Sequence, residues 1–194
     1  MRHPFRRKNL SPRLLPVYLL AAAAFALASP TPRGMALGSA IVCAGAGLRS
    51  WGAGYLFKNR SLVVAGPYAH LRHPLYAGTL LLGIGFAIAA GPWGLGLLAA
   101  VFLPTFFLYY LPYKDRIESA RLEGHYGGAY VAYRASVPAL LPRRAPWRQP
   151  PGCGDQSGPQ RWSWQRFRDN NELATLVAVG SGLGLLALRG PWTA

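Results

Sequence analysis

An all-α protein crossing a membrane about five times is the fold class this sequence predicts. Three observations predict it. The 194 residues are 52% hydrophobic but only 14% charged, where a soluble domain carries about 25% charged residues. Five apolar runs, Leu14–Ala28, Met35–Leu48, Leu75–Ala90, Trp93–Leu111 and Leu173–Leu188, are 14 to 19 residues long, near the roughly 17–25 that span a bilayer. Singly the shorter runs could be buried core helices, but five in one short chain leave no room for amphipathic partners. Finally, the basic residues sort by side. With the N-terminus inside and sides alternating at each run, Arg33 and Arg189 alone fall outside, leaving 19 of the 21 lysines and arginines inside, as the positive-inside rule requires. The net charge of +15 is then mainly an orientation signal, and nucleic acid is set aside as a partner.

The first run follows a basic segment and ends in Ala26-Leu27-Ala28, so it reads either as a retained span or as a cleaved signal. The retained span is favoured, because the apolar stretch is continuous. The second run extends toward Tyr55 and Phe57, where Trp51, Tyr55 and Phe57 suit an aromatic belt. Gly34, Gly38, Gly45 and Gly47 are spaced for close helix packing, within the chain rather than between copies. Runs three and four form a hairpin about Gly91-Pro92, since proline stops the preceding helix. Pro104 is expected to kink the fourth run. The hairpin returns residue 112 to the membrane side of residue 74, so the polar segments flanking it can meet at one face. Residues 138–166, with six prolines and three tryptophans, read as a mobile basic loop on anionic lipid. A lid is the minority reading. The last run reads as a fifth span, with a re-entrant segment as the alternative.

Counting excludes several chemistries. Cys43 and Cys153 with four histidines build neither a disulfide scaffold nor a zinc site, and no metal is expected. Four histidines are too few for a membrane di-iron centre. No nucleophile triad is suggested, and no phosphate loop or dinucleotide fingerprint occurs. The spans lack the mid-membrane charges a transporter would want.

Two polar segments carry the available chemistry. Residues 66–78, GPYAHLRHPLYAG, set Tyr68, His70, Arg72, His73 and Tyr76 between Pro67 and Pro74 just before the third run. An isolated Arg-His pair there would be an interfacial anchor. Two histidines, two tyrosines and an arginine between prolines favour a functional reading. Residues 113–138 place Tyr126, Tyr130 and Tyr133 at helical spacing, and Gly124, Gly127 and Gly128 divide the stretch into two short helices. Arg116 and Glu118 lie near the mouth from which Arg72 and His73 emerge, and a structural pair of Glu118 with Arg72 or Arg116 is the plain alternative. Arg121 and Glu123 read as solvated helix charges.

These segments resemble the isoprenylcysteine carboxyl methyltransferase family and its phospholipid methyltransferase relatives. The first matches through Gly66, Pro67, Tyr68, Arg72, His73, Pro74, Tyr76 and Gly78. The second matches through Glu118, Leu122, Tyr126-Gly127, Tyr130, Tyr133 and Val137-Pro138. The family's usual glutamate pair is Glu118-Ser119 here, its FG is Tyr-Gly, and Ala139 replaces the basic residue that follows its VP.

The resemblance implies an enzyme, an S-adenosylmethionine-dependent methyltransferase with its cofactor pocket at the cytoplasmic edge. Tyr68, His73, Pro74, Tyr76 and Gly78 would line the cofactor, Glu118 would pair with its amino group or ribose, and Tyr130 and Tyr133 would stack on its adenine. Arg72 or Arg116 would orient a carboxylate acceptor. An amine acceptor would first need a base such as Glu118 or His73. The acceptor would be lipid-like or prenylated, with membrane lipid around it. A phospholipid amine, or a non-catalytic protein retaining the fold, remains the alternative, and the oligomeric state stays open. The implied organisation is a membrane methyltransferase domain over 1–142 with its motif core at 35–142, a basic loop at 143–171 and a membrane helix at 172–194. The expected location is a bacterial cytoplasmic membrane, with N-terminus and active site cytoplasmic.

Overall fold

A computed structural model describes residues 22–57, 62–148 and 161–190. All regular structure among them is helical: α1 Pro32–Tyr55, a 3-10 turn Gly66–Ala69, α2 Pro74–Ala90, α3 Pro92–Tyr126, α4 Gly128–Ser136, α5 Trp164–Asp169 and α6 Glu172–Arg189. The first apolar run lies largely outside the described residues, and with it the choice between retained span and cleaved signal.

The start of α1 is set locally: Pro32 occupies the first turn and the Thr31 side chain accepts from the Gly34 N–H at 3.1 Å. Its packing on α2 is the most extensive helix contact, and small residues make it possible. A Cβ at Gly38 would stand 2.5 Å from the Gly85 carbonyl, and one at Gly85 would stand 2.7 Å from the Gly38 carbonyl. Backbone therefore meets backbone, the intramolecular use expected of the glycine spacing. Gly47, by contrast, faces open space.

The Gly91-Pro92 turn forms as expected. Gly91 takes φ +87°, a conformation open to glycine, and Pro92 begins α3. Around Pro104, where a kink is expected, the helix carries π-helical stretches on either side, Leu98–Phe102 and Thr105–Tyr110. Proline has no N–H to donate, and the hydrogen-bond ladder shifts register around it. At about 1.5 Å per residue, the 35-residue α3 outruns a hydrocarbon core of about 30 Å. The apolar part ends at Leu111, and the polar turns from Pro112 to Tyr126 project beyond it.

Among the described residues, α3 and α6 are long and apolar enough to cross a membrane by length and composition, against about five spans expected. α2 is apolar but has 17 residues. α1 has the length, but Arg33, Arg49 and many glycines dilute it. Helix direction does alternate: Arg189 at the end of α6 donates to Ala28 O at 3.0 Å beside the Gly91 turn, while Glu172 at its start meets Arg49 near the far end of α1.

Of the expected loop over 138–166, residues 138–148 are fastened to the rest of the protein and 149–160 lie outside the described residues. Arg72 N donates to Pro138 O at 2.8 Å and His73 N to Ala139 O at 3.0 Å; Arg143 N donates to His70 O at 3.0 Å and Trp147 N to Ala69 O at 2.8 Å. The Trp147 ring is buried with Leu62, Tyr130, Tyr133 and Val137. Backbone pairing and an aromatic anchor fasten 138–147 across the 69–73 segment, and α5 interrupts the remainder.

Substituting Gly85→Leu is expected to lower stability by about 2–3 kcal/mol through overpacking, while Gly47→Leu should be close to neutral. Thermal unfolding of the full chain in detergent checks both, and equal effects would contradict the interface described.

Candidate functional site

The hairpin sets the first turn of α2 against the polar turns of α3. Between them lies a cavity of about 410 Å³ lined by Tyr68, Arg72, His73, Pro74 and Tyr76 from one segment and by Glu118, Arg121, Leu122, His125, Tyr126, Tyr130 and Tyr133 from the other. Leu56 and Phe57 at the end of α1, with Leu62 and Val63, complete the wall. The volume falls in the range of about 300–1,000 Å³ typical of small-molecule sites.

His73 is the residue before Pro74, and its backbone leads into α2 while its own N–H is fixed by Ala139 O. The side chain is 7% exposed. Its Nε2 is 2.8 Å from Asp115 Oδ1, to which Arg72 Nη1 also donates at 3.3 Å. An ionised Asp115 accepts only, so His73 Nε2 is the donor in that contact. The Nδ1 of the same ring lies 3.6 Å from Glu118 Oε2. The Tyr76 ring stacks on His73 with centroids 5.0 Å apart, and its hydroxyl donates to Glu118 Oε1. Arg72 Nε is a buried side-chain nitrogen without a hydrogen-bond partner among the described residues.

Asp115 lies past the apolar part of α3. Burial pushes its carboxyl upward, but the hydrogen bond from His73 and the Arg72 charge outweigh that and leave it below its ordinary value of 3.8. Burial also holds the Tyr68 and Tyr133 phenols well above their ordinary value, so both stay neutral. The Tyr133 hydroxyl donates to Tyr68 O at 2.8 Å, and the Tyr130 hydroxyl and Ser119 Oγ share a 2.7 Å hydrogen bond. The tyrosine pair therefore ties α4 to both motifs while its rings face the cavity. As a set, the cavity offers a carboxylate, guanidinium groups, an imidazole and aromatic faces, which suits a small molecule bearing both charges and a flat ring.

Tyr68, Arg72, His73, Pro74, Tyr76, Glu118, Tyr130 and Tyr133 thus come together around one cavity. Gly78 and Arg116 do not. Gly78 faces α1, where a Cβ would press on the Arg49 side chain and stand 2.8 Å from Gly45 O, so its role is packing. Arg116 is exposed and outside the lining, because it lies on another face of α3. Arg72 pairs with Asp115 rather than Glu118, and Arg121, read as a solvated charge, lines the cavity. Asp115, which holds Arg72 and His73 beside the cavity, is not among the candidates the sequence singles out. Its signal was available: positions 115, 118, 119, 122 and 126 follow the helical repeat of one face.

The chain is 34% identical over 106 residues to the protein-S-isoprenylcysteine O-methyltransferase of Schizosaccharomyces pombe. The match covers 54% of this chain and 42% of that protein, so the chain spans less than half the length of its curated relative. This agrees with the resemblance carried by residues 66–78 and 118–138. No family model matches the chain, and no solved structure matches it.

Because folding lowers the Asp115 pKa, its contribution to stability is complete above its ordinary value of 3.8 and is lost as pH falls through the folded value. The melting temperature of the parent should exceed that of Asp115→Asn most near neutral pH, with the gap shrinking below about pH 4. A gap independent of pH would contradict the assigned Asp115 contacts.

Proposed function

We propose that this chain is an integral-membrane methyltransferase using S-adenosylmethionine and acting on a lipid-like or prenylated acceptor, with a carboxylate as the leading acceptor group. The observation that carries this reading is the cavity enclosed by both polar segments, each bearing its own part of the family resemblance. The name of the fission-yeast relative supports the methyltransferase class and the prenylcysteine chemistry.

The donor set fits the proposed cosubstrate. Glu118 is a carboxylate for its cationic amino group, Arg121 is a cation for its carboxylate, and Tyr68, Tyr76 and Tyr126 present flat faces for its base. When bound, S-adenosylmethionine supplies a methyl group already activated by the sulfonium. What remains for the protein is positioning and the exclusion of water. Leu62, Tyr130 and Tyr133 line the cavity and pack on the buried Trp147 behind it.

A carboxylate acceptor is already a nucleophile, so it needs orientation and no general base. Arg72 is suited to orienting it, because Asp115 holds one of its nitrogens, its side chain is largely desolvated, and it still borders the cavity. Glu118, held by Tyr76, faces the same cavity. In this reading about five spans carry the site at the cytoplasmic edge of the membrane, and the apolar end of the acceptor enters from the bilayer between spans.

The test is S-adenosylhomocysteine binding by calorimetry to the full chain in detergent, followed by methyl transfer to a prenylated cysteine. The parent should bind saturably, and Glu118→Ala and His73→Ala should each bind about tenfold or more weakly. The transferred methyl should be released by mild base, as from an ester; a base-stable product would identify a thiol or amine acceptor instead. A folded, monodisperse parent that binds no S-adenosylhomocysteine would overturn the reading in favour of a non-catalytic membrane protein.

A further inference from the structure

The end of α1 supplies Leu56 and Phe57 to the cavity wall, and its last carbonyls are held by a distant segment. Asn170 Nδ2 donates to Ala53 O at 2.8 Å and to Leu56 O at 2.9 Å, and Ser163 N donates to Gly54 O at 2.9 Å. Trp162 Nε1 donates to Ser50 O at 3.3 Å. The last carbonyls of a helix lack partners within it, so residues 162–170 do for α1 what a local cap would do. Two residues on, Glu172 is fully buried and receives Arg49 in a two-pronged pair, Nε to Oε1 at 2.8 Å and Nη2 to Oε2 at 2.9 Å. The remaining Arg49 nitrogen donates to Leu75 O at 3.2 Å and to Thr79 Oγ1 at 2.6 Å. Glu172 thereby reaches, through Arg49, the turn of α2 that places Pro74, Leu75 and Tyr76 in the cavity.

We infer that residues 162–172, outside the resemblance to known methyltransferases, form a positioning latch for the cavity: Asn170 holds the end of α1, and Glu172 holds the first turn of α2 through Arg49. Neither residue lines the cavity. The latch depends on the cavity alone; its consequence for methyl transfer rests on the function proposed above.

Hydrogen–deuterium exchange of the full chain in detergent tests it. Glu172→Gln keeps the shape and removes the charge. It should speed exchange about tenfold or more in peptides covering 50–57 and 72–79, and Glu172→Asp should lie between it and the parent. Asn170→Ala should loosen 50–57 more than 72–79. Leu186→Ala, which destabilises α6 in a separate apolar cluster with Met35 and Ala89, should leave both peptides protected. Unchanged exchange in Glu172→Gln, or equal loosening by Leu186→Ala, would overturn the latch. Should Glu172→Gln fail to fold, Asn170→Ala decides alone, and unchanged exchange at 50–57 would refute the latch. Weaker S-adenosylhomocysteine binding in Glu172→Gln with normal binding in Leu186→Ala supports its role in the proposed function. A parent that binds none refutes that function, while the exchange rates still decide for or against the latch.

Discussion

The carboxylate of Asp115 receives both Arg72 and His73, which lie 43 and 42 residues away in the chain, across the gap between two segments. Everything at the site depends on that gap being closed at the correct height. The hairpin at Gly91-Pro92 returns the chain, and the unusual length of α3 carries its polar turns past the apolar layer to the level of the α2 first turn. With Asp115 committed to His73 Nε2, the opposite ring nitrogen and the stacked Tyr76 face Glu118. One acidic side chain thus orients the histidine, restrains the arginine and leaves the second carboxylate free to face the cavity.

Backbone constraint supports this arrangement from behind. Residues 72 and 73 precede Pro74, a position that disfavours helix, and their N–H groups are taken by Pro138 and Ala139. The chain that follows α4 therefore pairs with the motif instead of leaving the protein. Trp147 then packs edge-on to Tyr133 with centroids 5.3 Å apart. A residue read as part of a lipid-facing loop ends as part of the cavity's foundation.

The Arg49–Glu172 pair shows a different use of charge. Burying an ion pair removes both groups from water, a cost that Coulomb attraction recovers only with good geometry and further hydrogen bonds. Both carboxylate oxygens and all three guanidinium nitrogens have partners here. Apolar residues of similar volume could fill the same space, so the ion pair's particular contribution is register: it joins α1, α2 and α6 in one alignment. The glycine contacts between α1 and α2 permit close approach along the whole interface.

Helix content, the Gly91-Pro92 turn, the break at Gly127 and the convergence of residues 66–78 with 113–133 were legible in the sequence. Each follows from local rules: proline and glycine geometry, apolar run length, and the fact that a hairpin returns a chain to its starting side. Which of the described helices are apolar and long enough to cross a membrane was not legible, because short apolar runs look alike until helix boundaries show which include Arg49 or fall short in length. Nor could the sequence separate Arg72 from Arg116, or Tyr76 from Gly78, since motif spacing does not say which way a side chain faces. Rotation about the α3 axis turned Asp115 toward Arg72 and His73, Arg121 toward the cavity and Arg116 away, and close packing on α1 claimed Gly78. Only tertiary structure decided those, because helix rotation is set by contacts between segments far apart in the chain.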